Sequence, residues 1–99
     1  MNCDTLFLGV AGVSVDKGLS EYNMDDAMVK QAALLSARRV VVLADASKIG
    51  HVAFVSVSAL NVVDLLVTDA SPDGEIIRAI KDQGVEVLHV EPYTKESSS

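Results

Sequence analysis

The run Val40-Val-Val-Leu-Ala44 is apolar without interruption and breaks at once into Asp45, Ser47, Lys48 and Gly50. A short, β-branched, fully apolar run bounded by polar residues reads as a strand buried on both faces. Such a strand needs neighbours beside it and cover above and below, which demands a parallel sheet with helices packed on it. Its C-terminal end delivers a carboxylate, a hydroxyl and an ammonium together. Ligands of open α/β sheets bind beyond the carboxyl ends of the strands. The run therefore also marks a candidate polar site, with an anion such as phosphate expected at Lys48.

Three further segments are mostly apolar. Thr5–Val10 predicts a first strand ending at Gly9, Val63–Thr68 a third ending at Asp69, and Val85–Val90 a fourth. Between the first two strands, Ala11–Asn23 reads as a loop rich in Gly, Ser and Asp. Asn23 or Asp25 can cap a helix reaching about Arg38, with Ala27, Met28, Ala32 and Leu35 at helical spacing. Met24, Met28 and Leu35 are expected in the core, and Arg38 and Arg39 at the negative end of the helix dipole. Asp45 to about Ala59 reads as a long connection with a short helix near Val57–Leu60. Ser71 is placed to cap a second helix with Pro72 at its first position, carrying Ile76, Ile77 and Ile80 and ending at Gly84. The order β-α-β-(short helix)-β-α-β predicts an α/β fold: a parallel β-sheet of about four strands flanked by helices, joined by right-handed crossovers. Gly9, Asp45 and Asp69 then fall on one edge of the sheet.

Composition supports this reading. The 99 residues are 49% hydrophobic but only 4% aromatic, so Val, Leu, Ile and Ala must build the core, as in parallel strands under helices. The length allows one domain, expected over residues 1–92 with a disordered tail at 93–99. So apolar a chain of this length implies that some of its surface is covered by another chain or by more of the same one. The net charge of −6, with eight scattered Lys and Arg, argues against nucleic-acid binding by these residues, because phosphate contacts dominate that affinity. One cysteine, Cys3, allows no internal disulfide and fits a cytoplasmic setting. No apolar run reaches the roughly 18–20 residues that span a membrane, and no signal peptide is evident.

The candidate site residues follow from the strand ends. Gly9 and Gly12, in Gly9-Val-Ala-Gly-Val13, allow backbone N–H groups to approach a ligand; plain turn chemistry is the alternative. In Asp45-Ala-Ser-Lys-Ile-Gly50, Lys48 offers a point charge and Ser47 a hydroxyl to a phosphate, while Asp45 orients Lys48 or accepts a sugar hydroxyl. The alternative is a capped turn in which Asp45 bonds its own backbone. Lys30 pairs with Asp26 four residues earlier on the helix surface, yet its long side chain can also reach the site. Asp16, Lys17, Ser20 and Glu21 read first as a solvated loop and second as contact residues. His51 and His89 are isolated and no Cys or His has metal-ligand spacing, so neither a metal nor another cofactor is expected. Cys3 has no base partner and reads as a buried or terminal thiol.

Taken in order, Cys3-Asp-Thr-Leu-Phe-Leu-Gly-Val-Ala-Gly-Val-Ser14, Gly18-Leu-Ser20, Asp26-Ala-Met-Val-Lys30, Val41-Val-Leu-Ala-Asp-Ala-Ser-Lys-Ile-Gly50, Val63-Asp-Leu-Leu-Val-Thr-Asp69 and Gly84-Val-Glu-Val87 resemble the C-terminal effector domain of the DeoR family of bacterial transcriptional regulators. The resemblance extends to about Val90. It implies a Rossmann-like fold similar to ribose-5-phosphate isomerase and the CoA-transferases, here as a partial domain without the earlier half that carries a phosphate loop. It implies a sensor of a phosphorylated sugar or polyol in a repressor of sugar metabolism, contacting DNA only through a helix-turn-helix outside these residues. Gly9 and Gly12 would line the effector site, with Asp45, Ser47 and Lys48 at its mouth and Lys30 nearby. Ser20 stands where the family often has Thr, Asp26 where it has Glu, Gln31 where Arg is common and Ile49 where Phe is common. A partial core exposes apolar surface, which favours a homo-oligomer. The expectation is ligand sensing without catalysis. The alternative is a sugar-phosphate isomerase of the same fold, with Asp16, Glu21 or Asp45 as general base.

Overall fold

The computed structural model describes residues 3–91; the expected tail at 93–99 lies outside them. In chain order the elements are β1 (Cys3–Gly9), β2 (Gly12–Ser14), β3 (Gly18–Glu21), α1 (Met24–Ser36), β4 (Ala37–Leu43), a 3-10 turn at Ala46–Lys48, β5 (Val55–Ser58), a second 3-10 turn at Leu60–Val62, β6 (Leu65–Thr68), α2 (Glu75–Asp82) and β7 (Glu86–His89). The four predicted apolar runs are β1, β4, β6 and β7. They form one parallel sheet in the order β1-β4-β6-β7, so the predicted α/β class with a four-stranded parallel sheet and two helices is what the chain adopts.

The strand order has a consequence for packing. Each parallel connection moves one strand further in the same direction, and right-handed crossovers then all lie on the same face of the sheet. Burial agrees. The register aligns Leu8, Val42, Leu66 and Val87 in one row, and all four belong to the core or pack on it, with Ala27 of α1 and Ile77 and Ile80 of α2. The alternate residues face the other way. Phe7 is 66% exposed, Leu43 45% and Leu88 51%, and Leu65 and Val67 are half-buried. Parallel sheets normally have both faces covered; here one is covered and the other is an open apolar surface.

The expected loop at Ala11–Asn23 is instead a hairpin. β2 and β3 pair antiparallel, and β3 pairs antiparallel with β5, giving a second, three-stranded sheet. β5 lies inside what the sequence reads as a connection, and Val57 is in that strand rather than in a short helix. Gly18 makes the hairpin possible: its φ is +72°, and a Cβ there would stand 2.1 Å from the Ser58 carbonyl oxygen. α1 stops at Ser36 and β4 begins at Ala37, so Arg38 and Arg39 belong to the strand and not to the helix end. Ser71 does not cap α2. Its carbonyl accepts from Gly74 N–H at 3.0 Å and its hydroxyl from Asp73 N–H at 3.3 Å, which closes a turn around Pro72, and the helix begins at Glu75 after Gly74.

The apolar face of α1 keeps Ala27, as expected, but not the methionine stripe. Ala27 is buried and Lys30, Ala33 and Leu34 half-buried, whereas Met24 and Met28 are largely exposed and Leu35 is 90% exposed. Ala27 is small enough to let the helix lie close to the sheet. Lys30, held by Gly9 and Glu21, is on the inner side of the helix, and the methionine stripe faces outward.

Candidate functional site

Beyond the C-terminal ends of β1 and β4 lies an open cavity of about 470 Å³, within the range of small-molecule sites. Its walls are Gly9–Ala11, the β4 end at Leu43–Asp45, Glu21 at the end of β3 with Tyr22 beyond it, Lys30 and Lys48. Four of the six residues singled out from the sequence, Gly9, Lys30, Asp45 and Lys48, therefore meet around one space although they come from three separate segments, the end of β1, α1 and the turn after β4.

Lys30 reaches this place from the second turn of α1. Its ammonium donates to the Gly9 carbonyl and to Oε2 of Glu21. The expected surface pair with Asp26 does not form: the Asp26 carboxylate accepts from the Asn23 side-chain amide, and Asn23 caps the helix by accepting Asp26 N–H at 2.8 Å. Glu21 is not a solvated loop residue but is buried, and its Oε2 also accepts from Ala11 N–H at 3.1 Å. A buried carboxylate requires such partners. Replacing Lys30 by Met leaves Glu21 with one neutral donor. Breaking a buried ion pair costs roughly 3–5 kcal/mol, and Lys30, a quarter exposed, brings the expected loss down to about 1–2 kcal/mol. Thermal melting followed by circular dichroism should show Lys30→Met lower by roughly 5–15 °C; an unchanged melting temperature removes the structural role of the pair.

The segment after β4 is a capped turn. Asp45 is the N-cap of the 3-10 turn Ala46–Lys48, with its Oδ1 accepting Ser47 N–H at 3.1 Å and the Ser47 hydroxyl. The hydrogen bond from the Ser47 side chain, with smaller help from the charge of Lys48, holds the Asp45 carboxyl below its usual range. Asp69, at the end of β6, accepts Ala46 N–H at 2.7 Å and pins the turn to the sheet. Asp45 and Ser47 thus satisfy one another, and Ser47 is not part of the cavity wall. Lys48 is held only loosely, its ammonium 3.9 Å from Asp45 Oδ1, so it is free to meet an anion.

Gly12 stands apart from the cavity wall. A Cβ on it would come 2.2 Å from the His51 carbonyl oxygen and 2.8 Å from Ser20 Oγ, so its role in the fold is close packing of β2 on the segment after Gly50. Ser20, whose hydroxyl accepts Ala53 N–H at 2.9 Å, secures the same segment. The residue the sequence underrates is Glu21, read first as part of a solvated loop and only second as a contact. A single Glu in a polar stretch carries little signal; its place in β3 against Ala11 and Lys30 is what singles it out.

Among the described residues no helix is long and apolar enough to cross a membrane. The profile of the DeoR C terminal sensor domain matches residues 1–70. Among curated relatives, the HTH-type transcriptional regulator GlpR of Haloferax volcanii is 38% identical over 87 residues, covering 88% of this chain and 34% of that protein. The HTH-type transcriptional repressor GlcR of Bacillus subtilis is 36% identical over 88 residues, covering 89% and 34%. The deoxyribose operon repressor of Escherichia coli is 30% identical over 86 residues, covering 87% and 34%. The chain spans about a third of the length of these relatives. With the family profile covering most of its residues and transcriptional regulators and repressors among its relatives, this chain belongs to the DeoR C-terminal sensor domain family.

Proposed function

We propose that residues 1–92 form part of the effector-sensing domain of a cytoplasmic transcriptional repressor of sugar metabolism, binding a phosphorylated sugar or polyol and contacting DNA through a helix-turn-helix outside these residues. The observation that carries this reading is the cavity at the sheet edge where Lys48, loosely paired, and Lys30 come together with a peptide turn at Gly9–Ala11. The phosphate meets Lys48. The carbohydrate part lies toward Glu21 and Lys30.

The site is read as binding without catalysis. An isomerase needs an unengaged base beside the substrate carbon. Neither carboxylate of the cavity wall is a free base: Asp45 caps its turn, and Glu21 is ion-paired with Lys30 through Oε2, which also accepts Ala11 N–H. Asp16 is not among the wall residues.

Isothermal titration with glycerol 3-phosphate, ribose 5-phosphate and glucose 6-phosphate tests the reading. At least one is expected to bind, and Lys48→Met should weaken it about tenfold, the share of one charge-assisted contact. Failure of all three to bind, or equal binding by Lys48→Met, refutes it. Turnover of ribose 5-phosphate would refute the non-catalytic part.

The open face of the parallel sheet is read as the contact with a second copy of the chain. Besides Phe7, Leu43 and Leu88 it carries Arg39, in register with Thr5, and Glu86, in register with Leu65. One face that holds both an exposed cation and an exposed anion around an apolar centre can be its own complement across a two-fold axis.

A further inference from the structure

Glu21 is the only charged side chain among the described residues that is buried, at 5% exposure. Both its hydrogen bonds, from Ala11 N–H and from the Lys30 ammonium, fall on Oε2. That leaves Oε1 as an open acceptor on a residue of the cavity wall. Lys30 has three N–H donors and uses two, on Gly9 and Glu21. The pair therefore presents a spare acceptor beside a spare donor, with its charges cancelled.

A phosphate accepts hydrogen bonds and is anionic, so it gains nothing from Oε1 and is repelled by it. A hydroxyl donates and accepts at once and matches the pair. The other cation of the cavity, Lys48, has no such partner: Asp45 stands 3.9 Å away and is committed to Ser47. The cavity has two chemically distinct ends.

Resting on the sugar-phosphate reading, we propose that Glu21 is a specificity-determining residue, which with Lys30 binds a hydroxyl group of the ligand and keeps the phosphate at Lys48. The ligand class is narrowed accordingly to polyhydroxylated phosphate monoesters, and plain alkyl phosphates are rejected.

The experiment titrates the chain with glycerol 3-phosphate, ribose 5-phosphate, glucose 6-phosphate, propyl phosphate and inorganic phosphate. In the wild type the best hydroxylated ester is expected to bind at least tenfold more tightly than propyl phosphate. In Glu21→Gln that advantage should shrink to less than about threefold, while inorganic phosphate binds as well or better, because a negative charge has left the cavity. In Lys48→Met all phosphates should weaken together. Propyl phosphate binding as well as every hydroxylated ester overturns the role of Glu21 and leaves the phosphate site standing. So does an equal loss of every ligand in Glu21→Gln, the pattern of a merely structural residue. If no phosphate compound binds the wild type, the sugar-phosphate reading itself falls and this inference with it. The wild-type comparison does not depend on the variant, so it decides the question even if Glu21→Gln does not fold.

Discussion

Gly12→Ala is expected to destabilise the chain by at least ~3 kcal/mol, a large part of the whole stability of a domain this size. The added Cβ would sit 2.2 Å from a backbone oxygen of His51 and 2.8 Å from Ser20 Oγ. Overpacking against flexible side chains costs about 1–3 kcal/mol. Here the nearest obstacle is main chain, and both sides of the contact are fixed. Gly12 pairs with Ser20 in the hairpin, and Gly50 N–H, next to His51, is bonded to Val13 O at 2.7 Å. Relief therefore requires β2 to separate from the segment after Gly50. Gly9→Ala is the matched control, because nothing stands within 4 Å of its Cβ. Urea unfolding should place Gly12→Ala far below the wild type and Gly9→Ala within about 1 kcal/mol of it. Gly9→Ala should show its effect in ligand affinity instead, since Gly9 lines the cavity and Gly12 does not. If Gly12→Ala unfolds like the wild type, the packing account of this glycine is wrong.

That contrast shows where sequence reading reaches and where it stops. The parallel sheet is legible because each of its strands holds two or more consecutive apolar residues, a pattern that needs no partner to be recognised. The second sheet is not. Its strands are three or four residues long and rich in Gly and Ser, and Glu21 finds Val55 across more than thirty residues. Nothing local in either segment announces the pairing. α1 is legible as a helix but not in its orientation. Periodicity selects Met24, Met28 and Leu35 as the inner stripe, and the tether from Lys30 to Gly9 and Glu21 places them outside. The same tether explains why the site is half legible. Lys48 and Asp45 stand out at a strand end, and Lys30 lies within reach, but the carboxylate that fixes Lys30 looks like any loop residue. Gly9 and Gly12 look alike in sequence, and only what surrounds each Cβ position separates a wall of the cavity from a packing contact.

Phe7→Glu is expected to raise the dissociation constant of a self-associated chain at least a hundredfold, about 2.7 kcal/mol, with little change in the fold of the single chain. With all crossovers on one side, the parallel sheet leaves Phe7, Leu43, Val67 and Leu88 facing outward, a contiguous apolar surface of the kind that marks an interaction site. Phe7 is 66% exposed on the outermost strand, so a glutamate there costs the isolated chain little. In a face-to-face pair it would bury an unpaired charge against the partner's apolar face, which is strongly unfavourable. Leu35→Glu is the control: it is 90% exposed on α1, which packs on the opposite side of the sheet, and should leave association unchanged. Sedimentation at several protein concentrations measures all three. A wild type that stays monomeric at hundreds of micromolar, or a Phe7→Glu variant that associates as the wild type does, would show that the face is covered by something other than a second copy. The charges refine the test. If Arg39 meets Glu86 across the two-fold axis, Glu86→Lys should weaken association at low salt and lose that effect as salt screens exposed charges. The exchange Arg39→Glu with Glu86→Lys in one chain should restore association, because a self-complementary face stays complementary when both signs are reversed.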